Sequence, residues 1–513
     1  MNLANRLQIS AQRFPDLDAL IEGSVRMSYA ELVHEVEVVA ANMQSLGVRP
    51  ADHVLVVLKN RWQNVVTYWA CQYLGLVYTP LNFRMSTAEV AYCVADSEPV
   101  AVVYEEDLRG TIEAAMRQAK SSAETFAVGG RRGVDSFEHL RREANAPPPV
   151  FDAPGDATAI MLYTSGTTGR PKGVPRSHDN EATAAIAHIV QNNYSTFEST
   201  LGVMPIYHTM GMRSLLATTF LNGKLALLPD FEREIALSLL QEERLSSLYL
   251  VPTLFYDLLH DSAIDRYDLS ALRKIGYAGA AMTSSLTKNC FERFRPDVFV
   301  NHFGSSEVYT FSICSWLDRK PTCAGRAGLN EQIRVVTPDP TAQAGPDELV
   351  AQGEPGEVIV NLSSPEAFRG YWRRDDANRK ALRGGWYFTG DVGMQDEEGD
   401  LWVLGRVDDM LISGGENIHP LEIEDVLAQH PGVLEVAVAG LPDDRWGQVV
   451  TAFVVPRDDS VTEEELDAWC LKSESLANFK RPRRYVMVRE IPKSPVGKIL
   501  RRKLQSGEYE QLR

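Results

Sequence analysis

No apolar run in this 513-residue chain is long enough to cross a bilayer. The longest candidates, 215–221 and 225–228, are broken by Asn222, Gly223 and Lys224. The first residues, Met1-Asn2-Leu3-Ala4-Asn5-Arg6, lack the apolar centre of a secretory signal, and Glu510-Gln511-Leu512-Arg513 carries no peroxisomal tripeptide. The six cysteines (Cys71, Cys93, Cys290, Cys314, Cys323 and Cys470) contain no C-x-x-C pair. That spacing argues against zinc, dithiol redox chemistry and a disulfide scaffold. Positive charge is also short: 52 Lys+Arg against 69 Asp+Glu leaves −17, which disfavours nonspecific nucleic-acid binding. These absences predict a reduced, cytoplasmic protein with no membrane insertion and no nucleic-acid partner.

What is present is ordinary for a globular protein, 44% hydrophobic and 24% charged, but too long for one small core. Short β-branched runs at 54–58, 101–104, 159–163, 247–251, 298–300 and 358–360 alternate with helical patterns such as 62–75 and 111–120. The alternation predicts an α/β protein with largely parallel sheets. Ala146-Pro147-Pro148-Pro149 reads as a rigid connector. The last hundred residues differ: a short helix at 420–429, strands at 436–439 and 450–455, and a capping box opening at Thr462 with Glu465. We expect a large N-terminal domain of layered sheets and helices over 1–407 and a small mobile α+β domain over 408–513, hinged at Gly405-Arg406-Val407-Asp408-Asp409.

The most informative loop is Thr164-Ser165-Gly166-Thr167-Thr168-Gly169-Arg170-Pro171-Lys172-Gly173, directly after an apolar strand. Its glycines let the backbone curl around an anion, its hydroxyls add donors and Lys172 adds charge, which suits a polyphosphate. No Gly-Lys-Ser/Thr closes it, so it is not a Walker A loop.

The loop resembles the signature of the adenylate-forming superfamily of acyl-CoA synthetases, peptide-synthetase adenylation domains and luciferases. Further strings resemble that family's motifs in the family's order: Asn301-His302-Phe303-Gly304-Ser305-Ser306-Glu307, Trp386-Tyr387-Phe388-Thr389-Gly390-Asp391, Gly405-Arg406-Val407-Asp408-Asp409 and Pro495-Val496-Gly497-Lys498. Within it, the nearest likeness is to the aryl-CoA ligases related to 4-chlorobenzoate:CoA ligase. It rests on Ile412-Ser413-Gly414-Gly415-Glu416-Asn417-Ile418-His419-Pro420, Asp444-Arg445-Trp446-Gly447-Gln448 and Phe479-Lys480-Arg481-Pro482. The first of these is widespread among acyl-CoA synthetases, and none is diagnostic of substrate.

The resemblance implies a two-step ligase: acyl-AMP with release of pyrophosphate, then a thioester with release of AMP. ATP, Mg²⁺ and coenzyme A are the implied co-reactants, and a small aromatic or cyclic carboxylic acid the implied partner, acted on by a monomer or homodimer. ATP and AMP would contact Thr164 to Gly169, Lys172, Phe303 (adenine stacking), Ser306, Asp391 (ribose hydroxyls) and Arg406. Glu307 would hold the metal, and Lys498 would bridge the carboxylate and the α-phosphate. Glu307, Arg406 and Lys498 are thus the catalytic candidates, and Asp408 is the hinge residue about which the small domain rotates Lys498 away. The acyl pocket would be lined by His208, Met210, Gly211, Ala278, Gly279, Ala280, His302, Gly304 and Val308. Coenzyme A would meet Arg84, Gly414, Gly415, Trp446, Phe479, Arg481 and Arg483.

His302 stands where benzoate-type relatives commonly carry an aliphatic residue, and Arg213 interrupts the apolar run 210–216. Arg213 reads either as a partner for a polar substituent on the acid or, as is commoner, as one half of a surface ion pair. The remaining functional readings are a medium-chain acyl-CoA ligase, an adenylating enzyme that loads a carrier protein in trans, and a binding protein that has lost its chemistry. Intact Lys172, Glu307, Asp391 and Lys498 argue against the last.

Overall fold

A computed structural model describes residues 2–130, 135–142, 148, 150–164, 171–261, 263–338, 344–413, 416–443, 445–458, 460–473, 476–493 and 499–512. It is the mixed α/β architecture expected, with a large N-terminal domain and a smaller C-terminal one. The element boundaries fall within a few residues of the sequence reading. The strand expected at 54–58 is His53–Val57, and its residues are buried on both faces, as a central strand of a covered parallel sheet must be. The helix expected at 62–75 is Trp62–Leu74, closed by Gly75 in the left-handed conformation at φ 69°.

The described residues of the large domain form three sheets. One has the order Glu124–Val128, Ala101–Glu105, His53–Val57, Val77–Pro80, Thr158–Thr164, Lys172–Ser177, with parallel pairing except for the last, antiparallel strand. The second runs nine strands wide, with parallel pairing through Val298–Phe303, Lys274–Ala278, Ser247–Leu250, Thr200–Gly202, Leu225–Leu227 and Asp18–Glu22. The expectation of largely parallel sheets holds for these two. The third sheet is antiparallel and carries Gly356–Asn361, Trp386–Gln395 and Leu401–Arg406. Trp386–Gln395 and Leu401–Arg406 are joined by a short connection, whereas between Gly356–Asn361 and Trp386 the chain makes helix Asp375–Ala381 and the short strand Leu382–Arg383.

Beyond Leu401–Arg406 the chain makes one 3₁₀ turn, Val407–Asp409, and enters the small domain. There Val433–Asp443, Gly447–Pro456 and Arg484–Met487 form a sheet whose faces alternate. Val438, Ala452 and Val454 pack under helices Pro420–Ala428 and Glu463–Lys472, while Ala437, Ala439 and Phe453 pack with Leu504 on the other side. That is the period-two pattern of a strand covered on both faces. The expected capping box is present, with Thr462 and Glu465 bonding each other's backbone N–H. All six cysteines are free and buried, and among the described residues no helix is long and apolar enough to cross a membrane.

Candidate active site

The phosphate-loop candidates Ser165, Gly166, Thr167, Thr168 and Gly169 lie outside the described residues, but both ends of the loop are placed. Strand Thr158–Thr164 runs outward through the buried Ala159–Leu162 stretch, and Lys172–Ser177 returns antiparallel so that Thr164 faces Lys172 across the ladder. The two strands that flank the loop are therefore bonded to each other at its two ends. The Lys172 ammonium sits 4.1 Å from the Tyr371 ring centroid. Burial lowers its pKa, the Glu307 charge opposes that, and Arg406, Arg374 and Lys380 push it down further. Four cations thus gather where sequence reasoning places a polyphosphate.

Strand Val298–Phe303 delivers the next group. Its neighbour Lys274–Ala278 sets His302 beside Ala278. The chain then turns at Gly304, where a Cβ would lie 2.1 Å from the carbonyl oxygen of Tyr309, so the turn admits only glycine. The backbone N–H of Ser305 closes the turn on the carbonyl of Val308 (2.9 Å). Glu307 is buried, and its Oε1 accepts a hydrogen bond from the Tyr371 hydroxyl at 2.6 Å. Beneath it lies Arg176, wholly buried and ion-paired to Glu181 at 2.5 Å. Its Nη1 donates to the carbonyls of Ser306, Glu307 and Glu366 at 3.3, 3.2 and 2.9 Å. One guanidinium therefore fixes the strand after the phosphate loop to the segment that presents Glu307.

The third sheet supplies the remaining pair. Asp391 and Arg406 face each other across neighbouring strands, and Arg406 Nη1 donates to Asp391 Oδ1 at 2.7 Å. Asp391 raises the Arg406 pKa further above its ordinary value. Phe303 is half-buried with its ring edge-on to Phe311, 5.1 Å between centroids, and Ser306 is half-buried. The structure thus brings together Lys172, Glu307, Asp391 and Arg406, and adds Tyr371, Arg176 and Glu181, which sequence reasoning missed. Tyr371 had one visible signal, its place in Phe368-Arg369-Gly370-Tyr371-Trp372, an aromatic cluster around a glycine. Arg176 had none, because a cation in a strand reads as solvent-facing.

A metal fits this arrangement in one way. Among the described residues no group of three or more His, Cys, Asp or Glu is arranged as a protein cage. Mg²⁺ commonly takes one or two carboxylates and completes its shell with substrate phosphates and water. The Tyr371 hydroxyl holds the Glu307 carboxylate in a fixed orientation beside the cation cluster, as such a ligand requires.

The acyl-side candidates lie on three elements. His208 caps helix Thr209–Phe220 by accepting from the backbone N–H of Met210. Burial and the charge of Arg213 lower its pKa to about 4, so the ring is neutral at pH 7. Met210 and Gly211 are buried in the first turn, and a Cβ placed on Gly279 would lie 3.9 Å from Met210 Sδ, so the two elements approach closely. Ala278 and Ala280 are half-buried, Gly279 and Gly304 are exposed, and Val308 is wholly buried in the main core. His302 is 2% exposed, its Nε2 bonded to Asn192 Oδ1 at 3.2 Å, its ring 5.2 Å from those of His188 and Tyr249. Arg213 is also 2% exposed, so the surface ion-pair reading fails: its Nη1 donates to the Tyr249 hydroxyl at 3.2 Å, and helix Thr209–Phe220 turns it inward. His188 and Asn192 went unnoticed in the sequence. Their signal was a polar pair four residues apart that follows the small buried residues Ala182, Ala184, Ala185 and Ala187 of the same helix.

The coenzyme A candidates are surface residues. Trp446 and Phe479 are exposed aromatics with Arg445 and Lys480 over their rings at 4.8 and 5.9 Å. Arg483 is exposed, and Arg481 is ion-paired to Asp467. Arg84 stacks at 4.9 Å on Phe83, which in turn meets Tyr207 beside His208. Gly414, Gly415, Lys498 and the Asp408 side chain lie outside the described residues. The backbone of Asp408 occupies the 3₁₀ turn between the domains.

Residues 7–372 match the family described as AMP-binding enzyme, and residues 422–498 match the AMP-binding enzyme C-terminal domain. The chain is 33% identical to a feruloyl-CoA synthase of Amycolatopsis sp, over 96% of each chain. It is 31% identical to a long-chain-fatty-acid–CoA ligase of Mycobacterium tuberculosis, over 98% of this chain and 97% of the relative. Among solved structures it resembles the o-succinylbenzoate CoA synthetase of Bacillus subtilis in complex with its acyl-adenylate intermediate, with TM-score 0.85, 27% identity and 99% coverage of both chains.

Proposed function

Because the chain belongs to the AMP-binding enzyme family across both its domains, we propose that it is an ATP-dependent acid–thiol ligase. It adenylates a carboxylic acid and then passes the acyl group to coenzyme A, in the cytoplasm. The observation that carries the reading is the cluster of Lys172, Tyr371, Glu307, Asp391 and Arg406. Joining a carboxylate to the α-phosphorus of ATP brings two anions together, so the work is positioning and charge neutralisation. Lys172 and Arg406 face the phosphates with their charge. Asp391, held by Arg406, accepts from the ribose hydroxyls, and Phe303 stacks on adenine. Glu307, oriented by Tyr371, would hold Mg²⁺, which supplies charge stabilisation at the phosphates when bound.

Thioester formation needs Lys498 withdrawn and the acyl carbon opened to a thiol. In this reading residues 408–513 turn about Asp408, Gly414 and Gly415 line the pantetheine path, and the exposed Trp446, Phe479, Arg483 and Arg84, with the half-buried Arg481, receive the nucleotide end of coenzyme A. Asp408→Pro, which fixes φ, is then expected to slow the thioester step more than adenylation.

The acid in this reading is a compact ring-bearing carboxylate. The names of the feruloyl and succinylbenzoate relatives support a ring. So does the burial of three polar side chains, Arg213, His302 and His188, close to the acyl candidates, which suits a long apolar chain poorly. The test is pyrophosphate release and thioester formation with free coenzyme A across ring acids, cyclic acids and fatty acids. Ring acids are expected to lead. Dodecanoate outrunning every ring acid would remove the ring preference, and turnover only with a carrier protein would replace the thiol acceptor.

A further inference from the structure

The acyl side holds a guanidinium whose hydrogen bonds the protein fills only in part. Arg213 projects from helix Thr209–Phe220 one turn beyond Met210. Its Nη1 reaches Tyr249, and its Cζ lies 5.1 Å from the Tyr309 ring centroid, but Nε and Nη2 are buried without an acceptor among the described residues. Those two nitrogens are not an arbitrary pair. Nε–H and the Nη2–H beside it form the side-on edge of the guanidinium, whose parallel bonds match the two oxygens of a carboxylate. Two buried carboxyl groups, Glu331 and Glu366, feel the Arg213 charge, but neither is ion-paired to it among the described residues: Glu331 Oε1 accepts from Ser364 at 2.7 Å and Glu366 Oε1 from Asn330 at 2.9 Å, while the second oxygen of each has no hydrogen-bond partner.

A third donor follows from the hydrogen-bond chain around it. Asn192 Oδ1 can only accept, so His302 carries its proton on Nε2. Asn192 Nδ2 donates to His188 Nδ1 at 3.0 Å and to the His188 carbonyl at 2.7 Å. His188 therefore carries its proton on Nε2, and that atom too is buried without a partner. Burial and the charge of Arg213 keep both imidazoles neutral. Three N–H donors, two of them on one guanidinium, thus stand unpartnered near the helix that carries His208 and Met210, together with the unprotonated Nδ1 of His302. Leaving a buried guanidinium edge and an imidazole N–H unpaired is strongly unfavourable, and an anion that accepts from them offsets that cost.

Resting on the ligase reading above, we infer that the acid is a dicarboxylic acid: one carboxylate is adenylated, and the distal one is received by the Nε/Nη2 edge of Arg213 with His188 Nε2 as a further donor. Arg213 is then the specificity-determining residue, discriminating a dicarboxylate from the acid that lacks the second carboxylate.

The experiment compares kcat/KM for pyrophosphate release within matched pairs of graded length: benzoate and terephthalate, phenylacetate and 4-carboxyphenylacetate, hexanoate and adipate. In the wild-type enzyme the best dicarboxylate is expected to exceed its monocarboxylate partner by on the order of 100-fold, as loss of a charge-assisted bidentate contact implies. Arg213→Met should collapse that ratio, and Arg213→Lys, a point charge without the fork, should restore only part of it. Wild-type enzyme turning over monocarboxylates faster in every pair overturns the inference without requiring any variant to fold. A dicarboxylate preference that survives in Arg213→Met overturns the assignment to Arg213. Pyrophosphate release from none of the acids would instead defeat the ligase reading itself.

Discussion

The nucleotide side and the acyl side of this site are built on opposite principles. At the nucleotide side each anionic group has a protein partner: Asp391 with Arg406, Glu307 with Tyr371. The phosphates would add to a framework already tied together. At the acyl side, Arg213 and His188 keep buried N–H groups with no acceptor among the described residues, and on the inference above the compensating group arrives with the ligand. The difference teaches where variation is tolerated. A framework of mutually held charges suits chemistry common to a whole family. A site whose polar floor is completed by the substrate is free to differ from one relative to the next.

The comparison can be broken most sharply through the step itself. Lys498→Ala is expected to reduce acyl-adenylate formation by about 100-fold or more, the scale of removing one charge from a phosphoryl site, while transfer from preformed acyl-adenylate to coenzyme A survives. Equal loss in both half-reactions, measured by pyrophosphate exchange and by single-turnover transfer, would mean that the lysine does not leave during the cycle. A smaller effect is expected from Tyr371→Phe, which removes the donor that orients Glu307. We expect kcat for adenylation to fall about 10-fold with little change in KM for the acid, since one hydrogen bond to a charged group is worth roughly 1.5–3 kcal/mol. If KM for the acid rises instead, Tyr371 belongs to the acyl side and the division drawn above fails.

Smaller again is Arg481→Ala, expected to raise KM for coenzyme A about 3- to 5-fold and leave that for ATP alone, because its guanidinium is already ion-paired to Asp467 and adds about 1 kcal/mol at most toward a second anion. The smallest effect concerns Glu331, beside the acyl floor, whose pKa burial raises from the usual carboxyl range to about 8. The folded state therefore retains a proton that the unfolded chain releases. The stability tied to that proton is full below the ordinary carboxyl pKa and is lost as pH rises through about 8. Glu331→Gln, which mimics the protonated form, should gain a few degrees in Tm over wild type at about pH 8.5 and little at about pH 5. An equal Tm difference at both pH values would show that Glu331 titrates normally.

The strands were legible because their β-branched runs are short and bounded, and both central parallel sheets bury both faces. The motif residues were legible because family resemblance names them, and the structure gathers Lys172, Glu307, Asp391 and Arg406 into one place. What stayed hidden depends on direction. Arg213 was visible as an oddity in an apolar run, but whether it pointed to water or inward is decided by which face of its helix packs on the sheet. Tyr371 lies 64 residues from Glu307 in the chain, and His188 and Asn192 meet His302 over more than a hundred. Pairings of that kind follow from topology, not from spacing.

Arg176 has a consequence for how this enzyme can be altered. Its guanidinium joins the strand leaving the phosphate loop to two separate loops, through Ser306, Glu307 and Glu366. A shift in any of these segments strains the hydrogen bonds that one planar guanidinium makes to the others. Repertoire can then be rebuilt around residues 188, 213 and 302 by wholesale exchange of the acyl floor, with residue 176 serving as the fixed seam along which grafted halves must be joined.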